Sequence, residues 1–267
     1  MRYLLIDNSN TRTKLALADE TSLQTGRAMI PTHEVNGESL RCALQGWEYD
    51  AAVVCSVVPN VRDILCAWLA CPVHVLDYRS RLSIGIDYPE PAQIGADRLA
   101  NALGAAAAYP LPCIVVDFGT AVTFDVIDVR GCYVGGVIAP GLASMSDYLV
   151  RNTALLPAVD PCEPVRAIGK STEQALHAGS VFGYRGLVRE LLARIEEELG
   201  GGKPYVVATG GDAALIARGV PEIRRVDRDI TLEGMRLVAL SNLFPSKSLQ
   251  VMERRFLPPL DVLDRGK

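Results

Sequence analysis

The feature that most constrains this chain is a motif that occurs twice. From Cys113 to Asp128 an apolar run (Ile114, Val115, Val116) delivers Asp117 to a turn at Gly119 and Thr120, and a second β-rich run (Val122, Thr123, Phe124, Val126) leads away. That pattern predicts a strand, a tight turn carrying a carboxylate and a hydroxyl, and a returning strand. From Tyr3 to Leu17 the plan recurs: an apolar strand, Asp7 at its end, a small polar turn at Ser9, Asn10 and Thr11, then an alternating strand through Thr13 and Lys14. Asp7 aligns with Asp117, Ser9 with Gly119 and Thr13 with Thr123, so the chain reads as two related halves. Gly119 allows close backbone approach to a ligand, and Thr120 with its neighbouring N–H groups can cradle an anion.

Between the hairpins, strands and helices alternate. The sequence predicts an edge strand at Arg27–Ile30, a helix at Ser39–Gly46, a strand at Ala51–Val57, a helix at Val61–Cys71 and a strand at Val73–Leu76. Alternation of this kind implies a mostly parallel sheet with helices on its faces. Two prolines then keep Tyr88–Pro91 extended, and Gly95-Ala96-Asp97-Arg98 opens an Ala-rich helix running to about Tyr109. Asp97 and Arg98 fit a helix-start charge pair, since an acid there suits the macrodipole. They equally fit a carboxylate beside a ligand cleft with an Arg ready for an anion.

After the central hairpin, Gly135 and Gly136 are too closely spaced for a plain strand and suggest backbone held against a ligand or another segment. A helix is expected at Leu142–Ala154, and a longer one capped by Thr172 that runs to Leu199 and stops at three glycines. Gly169-Lys170-Ser171-Thr172 is not a P-loop, because the earlier glycine that such a loop needs is Pro164 here. A strand at Tyr205–Ala208 feeds Thr209-Gly210-Gly211-Asp212 and a helix at Ala213, a turn that suits a nucleotide or a plain chain reversal. Ile230–Leu240 is read as the last helix, and the tail with Pro258 and Pro259 as loosely ordered.

Composition narrows the function classes. With 267 residues, 49% hydrophobic and 22% charged, and a net charge of −4, the chain reads as a globular protein without a basic face for nucleic acid. Its seven cysteines and three histidines are scattered with no Cys-x-x-Cys pair, which favours buried reduced thiols over a zinc site. No apolar run reaches ~18 residues, so a cytoplasmic protein without membrane partners is expected.

Paired Asp-bearing hairpins across a cleft resemble the ATP site of the actin, hexokinase and acetate kinase superfamily. More specifically, the chain resembles the type III pantothenate kinases through Asp7-x-Ser9-Asn10-Thr11 with Lys14, Tyr88-x-x-Pro91 with Gly95-Ala96-Asp97-Arg98, Asp117-Phe118-Gly119-Thr120-Ala121-x-Thr123, Gly135-Gly136-x-Ile138-x-Pro140-Gly141, Ser171-Thr172 and Thr209-Gly210-Gly211. The resemblance implies an α/β fold of two ribonuclease H-like (actin-like ATPase) domains, 1–111 and 112–267, with mixed sheets flanked by helices. It further implies ATP-dependent phosphorylation of pantothenate, the first step of coenzyme A biosynthesis, by a homodimer whose substrate pocket borrows residues from the partner.

On that resemblance Asp97 is the general base. Tyr88, Gly95, Ala96, Arg98 and Thr172 line the pantothenate pocket, and Asp7, Ser9, Asn10, Thr11, Lys14, Gly119 and Thr120 hold ATP. Mg²⁺ is held at Asp7 through the phosphates, and Asp117 takes a monovalent cation such as K⁺ or NH₄⁺. The family also includes homologues described as accessory factors for gene expression, so a catalytically weakened regulatory homologue is the rival reading; a superfamily kinase acting on a sugar or small acid is a third. One departure is Ser9, where the family has Gly. If the turn needs only a small residue, Ser9→Gly changes little; if Ser9 strains the turn or replaces a backbone approach to phosphate, restoring Gly lowers the KM for ATP.

Overall fold

The computed structural model describes residues 1–200 and 202–243, so the Pro258–Pro259 tail lies outside the described residues. Each Asp-bearing hairpin seeds a sheet. β1 (Arg2–Asn8) turns antiparallel into β2 (Arg12–Asp19), β3 (Leu23–Pro31) adds antiparallel to β2, and β4 (Ala51–Ser56) and β5 (Val73–Val75) extend the other side in parallel. The order is β3-β2-β1-β4-β5. In the second sheet β7 (Cys113–Phe118), β8 (Ala121–Ile127), β9 (Cys132–Pro140), β10 (Tyr205–Gly210) and β11 (Ile223–Val226) repeat that order and those directions as β9-β8-β7-β10-β11. A two-residue strand, β6 (Gly85–Ile86), pairs with β9 at the edge. The mostly parallel sheet expected from alternation is thus corrected: antiparallel hairpins occupy one flank of each sheet and parallel crossovers the other.

The helices are α1 (Gly37–Ala43), α2 (Pro59–Trp68), α3 (Ala96–Ala108), α4 (Leu142–Asn152), α5 (Thr172–Leu199), α6 (Ala213–Ala217) and α7 (Ile230–Asn242). Asn36 caps α1, its side chain accepting from the N–H of Glu38 and Ser39 while Ser39 returns the contact. α5 is capped by Ser171, whose hydroxyl accepts from Gln174 N at 3.2 Å, and not by Thr172, which is its first helical residue.

Strand parity decides what each sheet face buries. Along β1, Leu4 and Ile6 join the core that holds Leu40 of α1 and Leu65 of α2, while Tyr3 and Leu5 join one shared with Ala100 of α3 and Met235 of α7. Along β7, Ile114, Val116 and Phe118 pack with Val181 and Val188 of α5, whereas Cys113 and Val115 face Leu99 and Ala102 of α3. The two terminal helices are partly exchanged: α3, which follows the first sheet's strands, packs on β7 and β8 as well as on β4, and α7, which follows the second sheet's, packs on β1 and β4. A division at 111/112 therefore follows the repeat in sequence, while α3, β6 and α7 cross it in space. Where α3 and α7 touch, Gly104 lies against the Ile230 carbonyl and Gly234 against the Ala100 carbonyl, so a Cβ at either position would collide with backbone.

Candidate active site

Parity places the polar ends of both hairpins on the face that α3 covers. Asp7 continues the Tyr3 and Leu5 side of β1, and Asp117 continues the Cys113 and Val115 side of β7, so both carboxylates emerge toward the space between the sheets. The hairpin tips meet: Thr11 Oγ1 and Thr120 Oγ1 are 2.9 Å apart although 109 residues separate them in sequence. The register also corrects the alignment of the repeat. Asp7 pairs across the strands with Lys14, as Asp117 does with Thr123, so Lys14 rather than Thr13 is the counterpart of Thr123. The first turn is one residue longer, with 9–11 joining its strands against 119–120 in the second.

The first hairpin carries an ion pair. Lys14 Nζ lies 3.1 Å from Asp7 Oδ2, and the Asp7 carboxylate, assisted by Asp117, holds the ammonium above its ordinary pKa against the opposing effect of burial. Ser9 N closes the turn onto Arg12 O at 3.0 Å, and Thr32 Oγ1 donates to Ser9 O at 2.7 Å. No non-glycine residue among the described residues has positive φ, so Ser9 carries no positive-φ strain, which favours the alternative that the turn needs only a small residue. Its hydroxyl lies 3.4 Å from Asp7 Oδ1, a weak contact at most. Asn10, beside it, is exposed at the tip.

Asp97 and Arg98 open α3 behind an N-terminal cap at Gly95, which supplies no side-chain bond. Asp97 Oδ1 accepts from the Arg98 N–H at 2.8 Å, yet burial, reinforced by the nearby Asp7 charge, lifts its carboxyl above the ordinary range. The Arg98 guanidinium is already engaged. Nε contacts Asp125 Oδ1 at 2.5 Å, Nη2 donates to Phe124 O at 3.0 Å, and the group lies 5.7 Å from the Tyr133 ring centroid. Gly136, opposite Asp125 in the sheet, is required there, since a Cβ would strike Phe124 O and Arg98 Nη2. The close segments anticipated from the glycine pair are thus the Phe124 backbone and Arg98 side chain at Gly136 and the Tyr88 ring at Gly135.

Tyr88 lies across from this cluster, its ring 6.2 Å from that of Tyr133 and tilted by 58°, with Gly135 beneath its edge. The Tyr133 hydroxyl is buried with no hydrogen-bond partner among the described residues. Asp125, fully buried, is pushed up to about 7 by burial in spite of Arg98, and Asp117 up to about 6 for the same reason in spite of Asn101 and Lys14. The end of β10 lies alongside, with Thr209 opposite Asp117 and Gly211 N donating to Phe118 O at 3.0 Å. The glycine turn after β10 thereby borders the same end of the sheet, the position where open α/β sheets bind ligands.

Not every predicted residue joins this cluster. Thr172 is exposed at the start of α5, and no hydrogen bond links it to Tyr88, Asp97 or Arg98. The cysteines also split: Cys55 and Cys113 are buried, but Cys42 and Cys162 are exposed, so burial does not describe all the thiols. No group of three His, Cys, Asp or Glu residues suited to a metal ion occurs among the described residues. Sequence reasoning missed Asp125, Asn101, Tyr133 and Thr231. The available signal was parity, because Asp125 lies two residues beyond Thr123 on the face that already carried Asp117.

Comparison with known proteins agrees with this geometry. The type III pantothenate kinase family profile matches residues 3–194. A type III pantothenate kinase of Akkermansia muciniphila is 65% identical over 91% of this chain and 100% of its own length. One from Methylacidiphilum infernorum is 41% identical over 88% and 87%. Among solved structures, a Campylobacter jejuni protein described as a Baf family transcriptional activator superposes with a TM-score of 0.61 at 18% identity, covering 89% of this chain and 98% of its own. A Sinorhizobium meliloti protein described as a 2-dehydro-3-deoxygalactonokinase gives 0.60 at 12% identity, covering 91% and 99%. At those identities the structural likeness speaks for the fold alone. Profile match, sequence identity and the meeting of two Asp-bearing hairpins converge, and the chain belongs to the type III pantothenate kinase family.

Proposed function

We propose that this chain transfers the γ-phosphoryl group of ATP to the primary hydroxyl of pantothenate, giving 4′-phosphopantothenate in the first step of coenzyme A biosynthesis. The observation that carries the reading is the junction of the hairpin tips at Thr11 and Thr120, with Asp97 and Arg98 delivered between the sheets by α3. Asp7, Ser9, Asn10, Thr11, Lys14, Gly119 and Thr120 hold the nucleotide. Mg²⁺, bound at Asp7 through the phosphates, and a monovalent cation at Asp117 neutralise charge on the transferring group. Asp97 takes the hydroxyl proton: its Oδ1 is engaged by backbone N–H, which leaves Oδ2 for the substrate, and burial raises its pKa, which strengthens it as a base.

Arg98 uses only part of its guanidinium on Asp125 and Phe124, so its remaining N–H groups serve the pantothenate carboxylate, with Tyr88, Gly95 and Ala96 around them. Thr172 comes from the second copy of a homodimer. Large exposed apolar side chains gather in the stretch that contains it, including Tyr148, Leu155, Val165, Ile168 and Phe182, a surface suited to self-association. We place the enzyme in the cytoplasm; no described helix is long and apolar enough to cross a membrane. The domains 1–111 and 112–267 supply one Asp-bearing hairpin each to the cleft.

The test is a coupled assay for pantothenate-dependent ADP formation, with and without K⁺. Turnover that requires both pantothenate and K⁺ is expected. A chain that makes no phosphopantothenate under either condition refutes the reading and revives the accessory-protein alternative.

A further inference from the structure

We propose that Asn101, locked by Thr231, is a positioning residue that holds Asp117 and the Asp125–Arg98 ion pair at one fixed spacing. The inference rests on the functional reading above and adds residues to it. Asn101 is 1% exposed in the middle of α3, and its amide offers two N–H groups. One points to Asp117 Oδ2 at 3.3 Å and the other to Asp125 Oδ2 at 3.2 Å. Its carbonyl oxygen accepts from Thr231 Oγ1 at 2.7 Å, the shortest of the three contacts.

That third contact sets the amide's orientation. A flipped amide would turn its oxygen toward two carboxylates and its N–H groups toward the hydroxyl, so the arrangement has one satisfied state. Thr231 is itself 6% exposed and sits in the first turn of α7, and α7 meets α3 backbone to backbone at Gly104 and Gly234. The amide is thereby referenced to the joint between the exchanged helices.

The consequence reaches both sides of the reaction. Asp125, which grips Arg98 on the pantothenate side, and Asp117, on the cation side, share one donor group, and Arg98 lies three residues before Asn101 on the same helix. Neither carboxylate can shift without losing an N–H in a buried environment, where an unmet acceptor is costly. Asn101 touches no substrate in this scheme and acts through the two carboxylates.

The discriminating substitutions are Thr231→Val, which keeps the shape and deletes the hydroxyl, and Thr231→Ser, which deletes the methyl and keeps the hydroxyl. In the full-length protein we expect Thr231→Val to raise both the Kd for pantothenate, measured by calorimetry without nucleotide, and the half-saturating K⁺ concentration by about fivefold, the weight of one neutral hydrogen bond. Thr231→Ser is expected to match wild type in both. A purely packing role predicts the reverse, with Val tolerated and Ser impaired. Wild-type constants in Thr231→Val, or equal impairment in the two variants, overturn the proposal. Should the Val variant not fold, Thr231→Ala removes the same hydroxyl, and wild-type constants there overturn it equally. A wild-type chain that does not phosphorylate pantothenate refutes the functional reading; a working kinase indifferent to the hydroxyl refutes only this inference.

Discussion

Replacing Gly234 by Ala tests whether the α3–α7 joint sets the geometry of the site. A Cβ at Gly234 would run into the Ala100 carbonyl, which is backbone and has no rotamer to escape into. Restoring van der Waals separation requires the helices to part by on the order of 1 Å. Overpacking of this kind costs about 1–3 kcal/mol, and the better helix propensity of Ala returns roughly 1 kcal/mol of it. With the backbone unable to yield locally, we take the upper part of the range, a net loss of about 2 kcal/mol, which lowers the midpoint of a chain this size by roughly 4–8 °C.

Turnover should fall further than stability. Asn101 follows Ala100 directly and Asp97 lies one turn before it, so a shift of α3 displaces the proposed base, and misplacement of ~1 Å can cost about 10²-fold. The control is Gly186→Ala in α5, where nothing beyond the helix's own backbone and the two adjoining residues stands within 4 Å of the new methyl and the substitution should stabilise by about 0.5–1 kcal/mol. Differential scanning fluorimetry and the coupled kinase assay read both variants. A Gly234→Ala protein with a midpoint and kcat equal to wild type would refute the view that the helix joint positions the site.

Asp97→Asn should lower kcat on the order of 10²-fold with an unchanged unfolding midpoint, and near wild-type turnover would reduce Asp97 to a helix-start residue. Because burial raises the Asp97 pKa and a base must be ionised, kcat/KM in the wild type should fall as pH drops through a value above the ordinary carboxylate range; an acid limb confined to the range of free aspartate contradicts that role. Asp117→Ala should abolish both the K⁺ response and most activity, since it deletes a half-buried carboxylate pushed up to about 6, whereas equal rates with and without K⁺ in the wild type would remove the cation from the scheme. Ser9→Gly should leave the KM for ATP nearly unchanged, because the turn is unstrained and the hydroxyl contact to Asp7 is 3.4 Å long; a clear rise in that KM would make the hydroxyl a phosphate ligand.

Much of the site was legible because it is local in sequence. Asp7 and Asp117 announce themselves by ending apolar runs before small polar turns, and Asp97-Arg98 by following a proline-stiffened segment. The misaligned Thr13 shows the limit: a turn one residue longer moves Lys14 into register with Asp7, and composition does not display loop length. β6 has only two residues, and β11 reads Ile-Arg-Arg-Val with its arginines exposed, so neither offers the apolar alternation that marks a strand. The exchange of α3 and α7 was hidden for another reason. Helical periodicity says which face is buried and nothing about which sheet it is buried against. Asn101 and Thr231 stand 130 residues apart, and each alone is an ordinary polar residue in an apolar helix.

The same packing bears on the cations of the proposed reading, since no preformed metal cluster occurs among the described residues. Asp7, Asp97, Asp117 and Asp125 converge on the inner face, against the Lys14 ammonium and the Arg98 guanidinium. Burial pushes Asp97, Asp117 and Asp125 upward, and neighbouring carboxylates push in the same direction: Asp7 acts on Asp97 and Asp117, and Asp97 acts on Asp117 and Asp125. A triphosphate brought to this field alone would meet like charge at short range, where a low dielectric magnifies repulsion. Mg²⁺ commonly enters proteins through one or two carboxylates with substrate phosphates completing its shell, and Asp7 at the hairpin tip offers that arrangement. On the proposed reading, therefore, the nucleotide carries its own metal into the cleft, Lys14 stays paired with Asp7, and the second cation settles the charge of Asp117.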